Sequence, residues 1–360
     1  MAKKSAVAIT QSRKLEHINI ILNKETQYRD KTTMLECVEL AGNDRKIAKA
    51  DVNLSTELIG REIDAPIFVS GMTGGHSDVF EINRNIAKAV AKLNIPMGVG
   101  SQRAMIEDKS LAYTYDVKKF AGNIILIGNI GATSLHRYGS EAIQEMLNEV
   151  NADILAIHTN PAQESVQPEG DVDFRGIFKR IVEVAKHIRQ PTILKEVGNG
   201  ISKEIAQRLD GKVYGIDVQG AGGTTWVGVE TYRSKGEDGL AFWDWGIPTA
   251  LSVLETKGSF GGKVFASGGI RNADDVTRAI ALGADLCGMA KPVLTSERRH
   301  GSDGVYKMLS NLIDEMRNKM AKLGFKDIEE MKNARVLIRE PLSEVIKQRG
   351  IHVPSRFVLE

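Results

Sequence analysis

Four features of this chain bring together residue types that could grip a charged ligand or act on one. In SGGIRNADD, residues 267–275, Gly268 and Gly269 allow a sharp turn that exposes backbone N–H groups, and Asn272 stands where it can cap a helix beginning near Ala273. Arg271 adds a planar charged fork. A second glycine-bearing run ends at Gly288, Met289 and Ala290. Exposed N–H groups beside a helix start are the chemistry of phosphate binding. The stretch HTNPAQE, residues 158–164, collects an imidazole, amides and a carboxylate; His158 and Asn160 share a face if a strand runs through them, with Gln163 and Glu164 just beyond. Glu164 alone is a thin metal site unless substrate phosphates complete it, as they do for Mg²⁺. The other reading of this stretch is a loop held by its own side-chain hydrogen bonds. In SRKLEHI, residues 12–18, Arg13, Lys14 and His17 occupy one side of a helix start. They form either an exposed basic face or, with Arg103 of GSQRAM, a grip for a second, highly charged anion. Lys195 lies inside the apolar run TILKEVG, where an unpaired ammonium is costly and needs an anionic or electron-rich partner. An ion pair with a carboxylate such as Glu196 is the alternative, and strand alternation weakens it by turning Glu196 to the opposite face.

These features need a scaffold, and the chain spells one. Short apolar runs recur at 65–71, 95–100, 124–131, 153–160, 192–198, 214–220, 264–270 and 285–290. Helix-sized segments separate most of them, at 78–93, 140–150, 174–188, 202–209 and 272–282. Runs without alternation, spaced by helices, are what a parallel sheet covered on both faces requires. Eight of them predict an α/β fold of the (β/α)8 TIM-barrel type, with a doubly wound sheet as the alternative. In a barrel the Gly268–Gly269 and Gly288–Ala290 turns follow neighbouring strands, which makes them two halves of one phosphate site. Met72, Thr73 and Gly74 then follow the first strand, Ser101 and Gln102 the second, and Asn129 belongs to the third. A rim of small polar groups with one inward lysine suits a flat heterocycle with hydrogen-bonding edges. In a flavin site Lys195 would offset the negative charge of the reduced ring. The expected division is an N-terminal arm at 1–60, the barrel at 61–335 and a C-terminal extension at 336–360. A long insertion after the sixth strand, 220–245, reads as a lid or binding loop, and an amphipathic helix at 303–324 stops near Gly324.

Bulk properties narrow the class. The 48 Lys plus Arg nearly balance 46 Asp plus Glu, which argues against a nucleic-acid partner. Only Cys37 and Cys287 are cysteines, too few for a disulfide framework or a Cys-rich zinc site. The basic start MAKKSAVAIT lacks the apolar run of a signal peptide, and no stretch approaches a membrane span. A cytoplasmic protein with no membrane partner is expected. There is no G-x-S-x-G elbow and no cysteine beside a histidine. With no protein base in evidence, a bound flavin would itself carry proton or electron chemistry.

Several of these motifs occur together and in order: RKLEH at 13–17, DVNLST at 51–56, SGMTGG at 70–75, GSQR at 100–103, HTNPAQE at 158–164, LKEVGNG at 194–200, DVQGAGGTTW at 217–226 and ASGGIRNADD at 266–275. In them the chain resembles the type 2, FMN-dependent isopentenyl-diphosphate isomerases, of archaeal type. The resemblance implies interconversion of isopentenyl and dimethylallyl diphosphate by a 1,3-proton shift, with FMN kept reduced by NADPH and serving as acid–base catalyst, and with Mg²⁺. It places Met72, Thr73, Gly74, Ser101, Asn129, Lys195, Thr225, Gly268, Gly269, Arg271 and the Met289–Ala290 backbone on FMN. It places Arg13, Lys14, His17, Ser101, Arg103, His158, Asn160 and Gln163 around the diphosphate, with Glu164 on the metal. Gln163 and His158 would assist the proton transfers, and Trp226 would close the hydrocarbon side. A homo-oligomer of four or eight subunits is also implied. Where many members carry a His-Asn-Ala-Leu-Pro stretch, this chain reads AGNDRKIAK at 41–49, which puts arm packing or oligomer contacts in doubt before the activity. The rival is an FMN-dependent 2-hydroxy acid dehydrogenase or oxidase, which would need a histidine–arginine pair where this chain has GAGGTTW. An inosine-monophosphate dehydrogenase-like enzyme would need a loop cysteine.

Overall fold

The structure is a computed structural model that describes the backbone from Ala6 and the side chains from Arg13, in both cases to Glu360. The basic start, residues 1–5, lies outside the described residues. Eight parallel strands close into a barrel: β1 (Ile67–Val69), β2 (Met97–Gly98), β3 (Leu126–Gly131), β4 (Ile154–His158), β5 (Thr192–Lys195), β6 (Gly215–Asp217), β7 (Lys263–Ser267) and β8 (Leu286–Met289). Seven fall inside the expected runs and β7 begins one residue before its own, at Lys263, and β8 pairs with β1 to complete the circle. Closure answers the choice between barrel and open sheet, because a closed sheet leaves no unpaired edge.

Period-two alternation then sorts the strand residues into layers. Phe68, Ile127, Ala156, Ile193, Phe265 and Leu286 form one buried cluster inside the barrel, closed below by Leu58 and Ile63 of the hairpin Thr56–Leu58/Arg61–Ile63. Two residues further along the same strands come Ser70, Asn129, His158, Lys195 and Ser267. The apolar layer is the barrel's packed floor, and the polar layer is the floor of the site above it.

The expected helices are present with bounds shifted by a few residues, such as Ser77–Lys92 and Ala273–Ala281. Asn272 caps the latter in a reciprocal capping box with Asp275, as its position predicts. The tail helix starts earlier than expected, at Lys291, breaks at Gly301 (φ 60°) and ends at Leu323, with Gly324 in the left-handed conformation. The segment after β6 is not a plain loop, because Trp226–Ser234 is helical. Outside the barrel, Val38–Leu40 pairs antiparallel with Val336–Ile338, which pairs parallel with Phe357–Leu359. This small sheet ties the segment before the barrel to the segment after it. Among the described residues, no helix is long and apolar enough to cross a membrane.

Candidate active site

A cleft occupies the C-terminal ends of the strands, where barrels place their binding loops. Its floor is the polar layer. His158 Nδ1 lies 2.8 Å from Asn129 Oδ1, while Asn129 Nδ2 donates to the Val99 carbonyl at 3.0 Å. With the amide so oriented, Nδ1 carries the imidazole hydrogen and Nε2 keeps a lone pair. Burial, followed by Lys195, Arg103 and Arg13, pushes His158 down to about 3, so it is neutral at pH 7.

Lys195 ends β5 between His158 of β4 and Asp217 of β6. Its Nζ donates to the backbone carbonyl of Glu196 at 2.8 Å, not to the Glu196 carboxylate. That carboxylate turns away to accept from the N–H groups of Val197, Gly198 and Asn199. The ion-pair alternative for Lys195 is therefore replaced by a lysine whose charge faces the cleft. Burial lowers its affinity for a proton, and Asp217 and Glu196 oppose this.

On one side of the cleft lies a phosphate-sized cradle. Gly268 (φ 95°) and Gly269 (φ 74°) line it with Arg271, Ala290 and Lys291. Lys291 opens the long helix, whose free N–H groups favour an anion. Three hydroxyls on the walls, Ser70 Oγ, Thr73 Oγ1 and Thr224 Oγ1, are buried without a hydrogen-bond partner. Buried polar groups are normally satisfied. Orphaned hydroxyls beside a glycine cradle fit a polar, phosphate-bearing ligand such as FMN.

On the other side the N-terminal helix, Ala6–Asn23, lies over the mouth. Arg13, Lys14 and His17 sit in its middle, not at its start as expected, and helical spacing puts Lys14, His17, Ile18 and Ile21 on one cleft-lining face. Lys14 donates to the carbonyls of Gly74 and Ser101 and to the Tyr115 hydroxyl. Burial and then the charges of Arg13 and Arg103 push its ammonium down to about 7. His17 Nε2 meets Glu230 Oε1 at 2.8 Å, and its ring meets Trp226 edge-on with centroids 5.0 Å apart.

Glu230 is the hub of this side. Gln163 Nε2 donates to it at 3.0 Å and Arg233 Nε at 2.6 Å. With its amide turned so that Nε2 faces the carboxylate, Gln167 donates to Glu230 Oε1 at 3.1 Å and accepts from Arg13 Nη1 at 2.9 Å. Burial alone would raise the Glu230 carboxyl, but the bonds from His17, Gln163 and Arg233 hold it down at about 2. Asn160 Nδ2 donates to Gln163 Oε1 at 3.1 Å and to Glu164 Oε1 at 2.8 Å, so the HTNPAQE stretch is ordered by its own hydrogen bonds and still faces the cleft. The loop reading of that stretch describes its hydrogen bonds, and its polar groups also line the cleft. No group of three potential metal ligands occurs among the described residues; Glu164 is one carboxylate.

Most of the expected site residues are thus brought together, and three are not on the walls. Thr225 is fully buried, its hydroxyl accepting from Gly228 N as the cap of the Trp226 helix; the residue before it, Thr224, lines the cleft instead. The cap holds Thr225 behind the cleft wall, where Thr224 stands in its place. Met289 ends β8 with its carbonyl accepting from Ser70 N, and Gly74 packs on the Tyr115 ring with only its carbonyl toward Lys14. Sequence reasoning missed Ser70, Tyr115, Lys291 and Glu230. Glu230 had one local signal, a carboxylate three residues before Arg233 on an otherwise apolar helix face.

Comparison with known proteins locates this site in a family. The profile of the FMN-dependent dehydrogenases matches residues 177–338, which include β5 to β8. Among solved structures, a flavocytochrome b2 variant with sulfite bound superposes with a TM-score of 0.69 at 19% identity, covering 94% of this chain and 85% of that one. A mandelate oxidase with an FMN adduct gives 0.61 at 17%, covering 89% and 95%. Identities this low show a shared fold alone, and no histidine or arginine occurs between Val218 and Trp226, where the dehydrogenase reading needs them. The isopentenyl-diphosphate delta-isomerase of Thermococcus kodakarensis is 41% identical over 360 residues, covering 96% of each chain. That of Methanocaldococcus jannaschii is 42% identical over 350 residues, covering 94% of this chain and 97% of its own. Likeness of that level over nearly the whole length, on a barrel with an FMN-type phosphate cradle, shows that this chain belongs to the isopentenyl-diphosphate delta-isomerase family, in its FMN-dependent, type 2 form.

Proposed function

We propose that the chain interconverts isopentenyl and dimethylallyl diphosphate by a 1,3-proton shift, with residues 61–335 as the catalytic barrel, residues 1–60 carrying anion-binding groups to its mouth and residues 336–360 bracing that arm. The observation that supports this most is that one cleft has two separate anion grips, the Gly268–Lys291 cradle and the Arg13–Lys14–Arg103 cluster, on opposite sides of a polar floor that carries Lys195. The cradle would hold the FMN phosphate, with Ser70, Thr73, Thr224, Asn129 and Lys195 beside the ring. Bound there in its reduced form, FMN supplies an electron-rich ring and a protonatable nitrogen.

The protein's own part is binding, orientation and exclusion of water. Arg13 and Arg103 take the diphosphate beside the Lys14 charge, neutral His158 accepts through Nε2 from a protonated phosphate oxygen, and Glu164 offers one oxygen for Mg²⁺, the substrate oxygens supplying others. Ile18, Ile21, Met72, Leu294 and Trp226 line the hydrocarbon side and keep water from a carbocation-like state. Gln163 is held from both ends of its amide, by Asn160 and Glu230, so it orients the allylic carbon and does not act as a base alone. Glu230 stays ionised at any working pH and places a fixed negative charge near the positive state. NADPH is the proposed reductant, and a cytoplasmic tetramer or octamer the proposed setting.

The test is anaerobic incubation of the FMN-loaded protein with isopentenyl diphosphate, NADPH or dithionite, and a Mg²⁺ series, followed by product analysis. Dimethylallyl diphosphate should accumulate to an equilibrium ratio from either side. Absence of the allylic isomer from reduced, flavin-bearing protein would sink the reading.

A further inference from the structure

We propose that Tyr115 is a positioning residue for the diphosphate side of the site, fixing Lys14 and the loop after β2 in one arrangement. The proposal rests on the isomerase reading above and adds to it a residue with no place in the motifs that the chain shares with the family.

Tyr115 follows the short helix Lys109–Thr114, and its side chain is completely buried. Its hydroxyl donates to the Ser101 carbonyl at 2.8 Å and accepts from Lys14 Nζ at 2.8 Å. Lys14 Nζ also reaches the Ser101 carbonyl at 3.1 Å and the Gly74 carbonyl. An ammonium has three donors and no acceptor. Here all three donors meet protein oxygens, two of them loop carbonyls that any sequence provides. The phenol is the one of these acceptors that a side chain contributes, and by donating in turn to the Ser101 carbonyl it braces the loop after β2 that the lysine also reaches.

The surroundings have been shaped to seat this ring. A Cβ on Gly74 would lie 2.1 Å from the ring, and one on Gly75 would lie 2.5 Å from the hydroxyl and 2.9 Å from Lys14 Nζ. Both glycines have positive φ, 145° and 78°. The Gly75 N–H donates to Thr114 Oγ1 at 2.7 Å, and Asn83 Nδ2 donates to both Thr73 O and Thr114 O. The loop after β1 is therefore braced against the Thr114–Tyr115 segment by bonds independent of Lys14. Lys14, in contrast, belongs to a helix that reaches the mouth from outside the barrel. Burial pushes the phenol's pKa up, so it stays a neutral donor and acceptor throughout the working range. Without its hydroxyl, a crowded ammonium already repelled by Arg13 and Arg103 loses its side-chain acceptor.

The test uses the full chain loaded with FMN, with inorganic pyrophosphate as a binding probe and isopentenyl diphosphate as substrate. Tyr115→Phe should raise the pyrophosphate Kd and the substrate KM on the order of tenfold, the scale of a hydrogen bond to a charged group. The change in kcat should stay within about twofold and FMN affinity should be unchanged, since the bond is made equally in ground and transition states. In a Lys14→Met background the same substitution should add nothing, because its effect runs through the ammonium. If Tyr115→Phe does not fold, Tyr115→Met, which also lacks the hydroxyl but fills the space adaptably, gives the same comparison. An unchanged KM, an equal loss of FMN affinity, or additive losses in the double variant would each overturn the proposal. A wild-type protein that binds pyrophosphate as described but forms no allylic product would instead remove the isomerase reading.

Discussion

The two sides of the barrel mouth are built from different materials. The cradle end is mostly backbone: Gly268 and Gly269 with positive φ, the turn after β8 and the start of the Lys291 helix, all drawn from residues 267–291. The opposite end is mostly side chains, from the N-terminal helix, the loop after β2, the loop after β4 and the helix after β6. A backbone site is set by local conformation, so it should tolerate lost charges and fail when a Cβ is added. A side-chain site depends on how distant segments are held together, so it should respond to one buried charge.

The largest expected effect tests the first half of this contrast. Gly268→Ala would place a Cβ 2.2 Å from the Gly220 carbonyl oxygen at φ 95°. Strain plus a backbone clash costs about 4 kcal/mol. FMN should dissociate on the order of 1000-fold more readily by flavin titration, while pyrophosphate affinity of the flavin-free protein changes little. Equal loss of both ligands would erase the distinction between the two ends.

An acid titration probes the second half. The Glu230 carboxyl lies near 4.5 when ordinary and at about 2 in the folded protein. A depressed carboxyl stabilises the fold fully above pH 4.5, and that contribution, roughly 3 kcal/mol, is lost as pH falls from 4.5 toward 2. Tryptophan emission should report release of the N-terminal helix, because His17 joins Trp226 to Glu230. Glu230→Gln should flatten this acid limb, and an unaltered limb in that variant would disconnect the hub from the helix.

The smallest effect lies on the floor between the two ends. Lys195→Met removes a buried positive charge, which should weaken reduced FMN about tenfold more than oxidised FMN and lower the two-electron potential by about 30 mV. A redox titration with no shift would mean that Lys195 only fills space.

What was readable beforehand follows the same division. Eight apolar runs, the capping of Ala273–Ala281 by Asn272 and the stop at Gly324 all appear where residue types placed them, because each depends on neighbours within about one turn of chain. The polar floor was partly readable too: Asn129, His158 and Lys195 stand two positions beyond inward apolar residues, and the period of a strand is the same in any fold. Thr225 shows where such reading ends. Thr224 and Thr225 are chemically alike, and only the start of the next helix decides which one caps and which one faces the cleft.

Arg13, Lys14 and His17 could be read from the chain as a basic cluster, but not as part of a site. Whether they faced water or the barrel mouth depended on Glu230, more than 200 residues away, and on Tyr115, about 100 residues away. Such pairings are settled by which apolar faces bury against one another, a property of the whole packed molecule. The residue types alone therefore determined the eight strand runs and the glycine turns after the last two of them, and closure of the sheet placed those turns side by side. Only the tertiary structure decided that a helix outside the barrel brings its basic groups to the mouth, because desolvated charges find partners by proximity in space and not in sequence.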